Sequence, residues 1–102
     1  MIMTINKTQN GDKITLTLSG RLDTITASSL QEALIPEFDT AKHIELDFQE
    51  LAYVSSAGLR VLLMGEKTAK AKGAKQTLVN VSAEIMEVFD MTGFTEILHI
   101  TG

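Results

Sequence analysis

The apolar residues of this chain switch repeatedly between two spacings, and that switching restricts the fold more than any other feature. Ile14, Leu16 and Leu18 are separated by Thr15, Thr17 and Ser19, the period of two of a half-buried strand. Met3 and Ile5 give a weaker version, and Asn10-Gly11 lies between the two runs, where a tight reverse turn needs positive φ. The spacing then lengthens. Ala27, Leu30, Ala33 and Leu34 share one helical face over Thr26 to Leu34, with Thr24 or Thr26 as cap and Pro36 where the helix must stop or bend. Ile44, Leu46 and Phe48 return to period two. Ala57 to Ala71 reads as the longest helix, apolar at Leu59, Val61, Leu62 and Leu63 and polar at Glu66, Lys67, Lys70 and Lys72, with Gly73 as its stop. Gln76 to Val81 is a short strand, and Ser82 caps a third helix that carries Ile85, Val88 and Phe89 and ends at Gly93. Ile97, Leu98 and Ile100 suggest a last strand or a packed tail.

The order β-β-α-β-α-β-α, with a final β if the tail pairs, is that of an α/β fold. Strands separated by helices favour parallel pairing, and the opening hairpin adds an antiparallel pair. The expectation is one domain over residues 1–102, a mixed sheet with an N-terminal hairpin and about three to four helices packed on it. No repeat, linker or low-complexity segment divides it. A chain of 102 residues can bury roughly two-thirds of its unfolded surface, enough for one ordinary core.

Several chemistries find no residues to carry them. There is no cysteine, so no disulfide framework and no thiolate. The net charge of −4, with nine Lys and Arg and no basic cluster, gives no nucleic-acid footprint. No apolar run approaches the ~20 residues of a membrane helix. "MIMTINKTQNGDK" has no basic start followed by an apolar block, so no signal peptide is visible, and a reducing, cytoplasmic location is expected. His43 and His99 are far apart and each flanks a strand, so no metal cluster forms around them. Nucleophile-elbow and phosphate-loop motifs are absent. Of the acidic run Glu45, Asp47 and Glu50, alternation puts only the first two on one sheet face, read as solvated. The methionines are scattered, and most of them read as core filler.

What remains is the joint "YVSSAGLRVLL", Tyr53 to Leu63. Two adjacent hydroxyls, Ser55 and Ser56, separate a strand from a helix. A serine there is explained by capping alone, worth ~1 kcal/mol. The same place has the free N–H groups and positive dipole end at which a phosphate is well tolerated. Ala57 and Gly58 are small, so a partner could approach the backbone closely.

This joint resembles the phosphorylation motif of the bacterial anti-sigma factor antagonists, which are STAS domains. Their usual form is D-S-[ST]-G-L, with the serine after the Asp phosphorylated. Gly58 and Leu59 match the G-L, Ala57 the small residue, Ser56 the phosphorylated serine, and Ser55 stands where the family has Asp. "SGRLDT" resembles the family's G-E-L-D, with Gly20, Leu22 and Asp23 matching and Arg21 in place of Glu. "MTGF", Met91 to Phe94, resembles the segment after the third helix. Together the three span nearly the whole chain in the family's order.

The resemblance implies a phosphorylation-switched binding module and no enzyme: no catalytic residue, metal or cofactor of its own. Unphosphorylated, such an antagonist binds an anti-sigma factor that is also an ATP-dependent serine kinase, and a sigma factor is freed. The kinase then phosphorylates Ser56, or Ser55 as second candidate, and releases the antagonist; a metal-dependent serine phosphatase resets it. Asp23, Thr24, Ser55, Ala57, Gly58 and Arg60 are the expected partner-binding residues. Asp23 can equally be a turn residue bonding local backbone. Arg60, four residues after Ser56, either folds back onto a phosphate there or is an ordinary exposed cation. The implied partners are that kinase and phosphatase, with no direct nucleic acid and no membrane insertion, and the free chain a monomer or weak dimer. The alternatives are a STAS subunit of a stressosome-like scaffold or of a lipid-transport complex, or a small α/β phosphotransferase, for which no general base lies near.

Overall fold

The structure, a computed structural model, describes residues 3–101. Its elements are β1 (Thr4–Asn10), β2 (Lys13–Leu22), α1 (Ala27–Leu34), a 3₁₀ segment Ile35–Asp39, β3 (His43–Val54), α2 (Ser56–Lys72), β4 (Lys75–Val79), α3 (Ala83–Thr92), a second 3₁₀ segment Phe94–Glu96, and β5 (Ile100–Thr101). The five strands form one mixed sheet in sequence order. β1 and β2 are antiparallel, and every later pair is parallel. The C-terminal tail therefore forms a strand, and three α-helices and two 3₁₀ segments fill the expected number.

Burial follows the period-two pattern. Ile14, Leu16 and Leu18 of β2 and Ile44, Leu46 and Phe48 of β3 are buried, while Thr15, Thr17, Ser19, Glu45 and Asp47 between them are only half-buried. One sheet face thus carries the helices and the other stays open. The core joins those strand residues to Leu30 and Leu34 of α1, Leu59 and Leu62 of α2, and Phe89 of α3, whose ring lies 6.2 Å from that of Phe48. α2 ends at Gly73 (φ 69°), and α3 runs from a Ser82 cap, whose Oγ accepts from the Ile85 N–H at 3.2 Å, to Gly93 (φ 81°).

Several expectations change in detail. The hairpin loop is Gly11-Asp12, with Asn10 still paired to Lys13 in the ladder. Pro36 ends the α-helix but not the helical path, because Ile35–Asp39 continues as 3₁₀. Neither Thr24 nor Thr26 caps α1 through its side chain; Thr26 already has helical angles. β4 ends at Val79, since Asn80 turns to φ 56° and its amide donates to Asp47 Oδ1 at 3.0 Å. Glu66, expected on the polar side of the long helix, is buried at 3% and pairs with His99 Nδ1 at 3.2 Å. The tail that follows α3 brings that histidine over it.

The acidic run also differs. β3 carries an extra residue opposite Thr17–Ser19, so Ser19 pairs with Glu50 where regular alternation would give Gln49. The Ser19 hydroxyl donates to Glu50 Oε1 at 2.8 Å and the Thr15 hydroxyl to Glu45 Oε1 at 3.3 Å. Glu45 and Glu50 therefore both meet hydroxyls of β2 on the open sheet face, while Asp47 takes the Asn80 amide just past β4.

Candidate functional site

The site is built where β2 and β3 both end. A second irregularity, between Gly20 and Arg21, lets β3 gain another residue on β2, and Gly20 takes φ 101° there. That conformation suits glycine. As a result Leu22 pairs with Val54, and the Ser55 N–H donates to the Leu22 carbonyl at 2.8 Å. The turn after β2 is thereby fastened to the start of α2.

The two serines are used differently. Ser55 is the extended cap residue (φ −94°, ψ 174°): its Oγ accepts from the Gly58 N–H at 3.3 Å and its carbonyl from the Leu59 N–H at 2.9 Å. It is half-buried. Ser56 is the first residue of α2 and exposed, and no hydrogen bond to its hydroxyl occurs among the described residues. Ala57 is half-buried and Arg60 exposed. Gly58, expected at a partner face because of its size, is buried: a Cβ there would lie 2.6 Å from Leu22 Cγ and 3.2 Å from the Leu22 carbonyl oxygen. Its smallness admits Leu22 from inside.

Asp23 organises the adjoining turn. Its Oδ1 accepts from the N–H groups of Ile25 and Thr26, each at 3.0 Å. The Thr26 hydroxyl accepts from the Asp23 N–H at 2.9 Å and donates to the Arg21 carbonyl at 2.7 Å, with Asp23 Oδ1 a second acceptor at 3.1 Å. The Thr26 N–H foremost, then the Thr26 hydroxyl, the Ile25 N–H and the Arg21 charge, hold the Asp23 carboxyl below its ordinary 3.8, against an opposing effect of burial. Asp23 is thus the local turn residue that its position suggested, and Thr24 is exposed beside it.

Some features were not legible from sequence. The Arg21 guanidinium lies 4.1 Å from the centroid of the Tyr53 ring, across the irregular β2–β3 register. Ile25 stands out at 83% exposure. Only the register joins Arg21 to Tyr53, and nothing in the spacing of apolar residues announces it. A hollow of about 520 Å³ between α1, the Ile35–Asp39 segment and Lys72 is at the far end of α2 from Ser56. Among the described residues no group of three or more His, Cys, Asp or Glu could hold a metal ion, and no helix is long and apolar enough to cross a membrane.

The family model described as Mlab, STAS domain, matches residues 5–100. The chain is similar to the anti-sigma-B factor antagonist of Bacillus subtilis (strain 168), 28% identical over 101 residues, spanning 99% of this chain and 93% of that one. Two solved structures share its fold. One is the anti-sigma factor antagonist SpoIIAA in its unphosphorylated form, with TM-score 0.78, 16% identity, and 97% of this chain and 88% of that one covered. The other is the Bacillus cell fate determinant SpoIIAA in its phosphorylated form, with TM-score 0.76, 17% identity, and 97% and 92% covered.

Proposed function

This chain belongs to the STAS domain family, and from that premise we propose that it is an anti-sigma factor antagonist switched by phosphorylation of Ser56. The observation that carries the site is the division between the two serines. Ser55 is half-buried with its hydroxyl engaged in the cap, whereas Ser56 is exposed and unengaged. A kinase needs a reachable hydroxyl, and only Ser56 offers one without dismantling a helix end. The Bacillus subtilis relative is named an anti-sigma-B factor antagonist, and the SpoIIAA structures are of unphosphorylated and phosphorylated forms, which supports this reading.

In this reading the unmodified chain binds an anti-sigma factor with serine kinase activity in the cytoplasm and frees a sigma factor. Asp23, Thr24, Ser55, Ala57 and Arg60 present the partner surface, and Gly58 acts from beneath by admitting Leu22. The chain contributes no catalytic group; ATP belongs to the kinase, and a metal-dependent phosphatase removes the phosphate. Phosphorylation adds a charge of about −1.5 to −2 at a helix N-terminus, which the fold accommodates. An interface that had accepted a neutral hydroxyl does not. Each ~1.4 kcal/mol of uncompensated charge burial lowers affinity tenfold.

Intact-mass measurement after incubation with ATP and each anti-sigma factor serine kinase of the same genome tests the proposal. One added phosphate is expected, kept in Ser55→Ala and lost in Ser56→Ala. A phosphate that survives in Ser56→Ala and maps to Ser55 would move the site. No phosphate at all would overturn the switch and leave a scaffold or lipid-transport subunit as the function.

A further inference from the structure

Ile25 carries an inference that the serine site alone does not. It is the most exposed large apolar residue among those described, at 83%. A lone exposed isoleucine is ordinary on a protein surface. What separates this one is how firmly its backbone is held. Its N–H donates to Asp23 Oδ1 at 3.0 Å, the next N–H, that of Thr26, donates to the same oxygen at 3.0 Å, and the Ala27 N–H donates to the Asp23 carbonyl at 2.9 Å. The Thr26 hydroxyl ties the turn back to the Arg21 carbonyl at 2.7 Å. An apolar side chain is thus presented to water on a turn with little freedom left to lose.

That turn is also fixed to the phosphoacceptor. The Leu22 carbonyl accepts from the Ser55 N–H at 2.8 Å, and the Leu22 side chain fills the space beside Gly58. Tyr53, 40% exposed, precedes Val54, the partner of Leu22, and the Arg21 guanidinium braces its ring at 4.1 Å. Two of the four exposed large apolar side chains among the described residues, Ile25 and Tyr53, therefore border the strand ends that lead into Ser55 and Ser56. Tyrosine and arginine are residue types that dominate binding energy at interfaces, and a preordered apolar knob loses little entropy when it docks.

We propose that Ile25 is the anchor and specificity residue by which this chain docks the serine kinase that phosphorylates Ser56. It seats in an apolar socket of that kinase, with the braced Tyr53 ring beside it. This rests on Ser56 being the phosphoacceptor of such a kinase. A kinase lacking the socket would leave Ile25 in water and gain nothing from it, and one presenting a charged surface there would have to desolvate that charge.

The test uses the full chain and the purified ATP-dependent anti-sigma factor serine kinases of the same genome, with affinity from calorimetry and phosphorylation kinetics from incorporated phosphate. Ile25→Ser is expected to weaken binding about tenfold and Ile25→Asp further, while Ile25→Leu stays within about threefold of the parent. KM should rise with kcat unchanged, because the contact holds substrate and transition state equally. The melting midpoint should not move, because the side chain is exposed. If the parent chain neither binds any of these kinases nor takes a phosphate, the switch at Ser56 fails and the anchor fails with it. If the parent binds and is phosphorylated while Ile25→Ser and Ile25→Asp match its affinity, the anchor alone fails. A loss of affinity that tracks a lowered melting midpoint also overturns it, since Ile25 would then be acting on the fold.

Discussion

Ser55 and Ser56 are chemically identical, and backbone angles alone separate them. With ψ at 174°, Ser55 turns its hydroxyl back to the Gly58 N–H, while Ser56 is already helical and exposed. The sequence shows that a serine caps the helix, but which of two neighbours does so depends on where the helix begins. Arg60 poses a similar question, since its spacing puts it one turn beyond Ser56 and its exposure leaves it free to move. If its guanidinium closes on the phosphate, it favours the dianion and lowers the second phosphate pKa below its ordinary value of about 6. Phosphorus NMR titration of the phosphorylated chain should then show that pKa rising in Arg60→Ala, by a few tenths to about one unit for an exposed pair. Superimposable titrations of parent and variant would rule out the clasp.

At the scale of elements, the strands and helices were legible because their apolar periods are clean, and the joints between them were not. Phe48, Leu51 and Val54 are buried at intervals of three, a spacing that fits neither a flat strand nor a helix. It records the two irregularities in the β2–β3 register, which swing the end of β2 against the start of α2. Gly58 sits where those elements touch. Alanine there gains up to about 1 kcal/mol of helix propensity. Its Cβ, however, would lie 2.6 Å from Leu22 Cγ, 3.0 Å from Cδ2 and 3.2 Å from the Leu22 carbonyl oxygen. The Leu22 side chain is fully buried and its carbonyl is held by the Ser55 N–H, so neither yields cheaply. Gly58→Ala is therefore expected to cost about 1–3 kcal/mol in urea denaturation, as overpacking does. A stabilised variant would show that propensity outweighs the contact.

Across the whole molecule, charge placement was the least legible property, because it depends on which strands neighbour one another. Glu66 became buried through a tail 33 residues away, and His43 acquired its surroundings from two other strands. Lys13 and Lys75 are its cross-strand partners, Glu45 lies two residues on, and Thr77 Oγ1 is 2.7 Å from His43 Nε2. Desolvation first, then the Lys13 and Lys75 charges, push the His43 pKa below its ordinary 6.5, with Glu45 opposing. The sign of the effect on stability follows from which state takes up protons. As pH falls through 6.5 the unfolded chain protonates its histidine before the folded one does, so stability drops there and levels off once the folded histidine is protonated too. Asp23 acts in the same direction in a lower window. Its folded pKa is below 3.8, so the stability it contributes is present above that pH and is lost as pH falls beneath it. Denaturation followed from pH 8 to pH 2 should thus contain two separable losses at opposite ends of the sheet. His43→Gln should flatten the loss that begins near 6.5 and leave the lower one in place; Asp23→Asn should do the reverse. A loss near 6.5 that persists unchanged in His43→Gln would assign it to another group and remove His43 from the account.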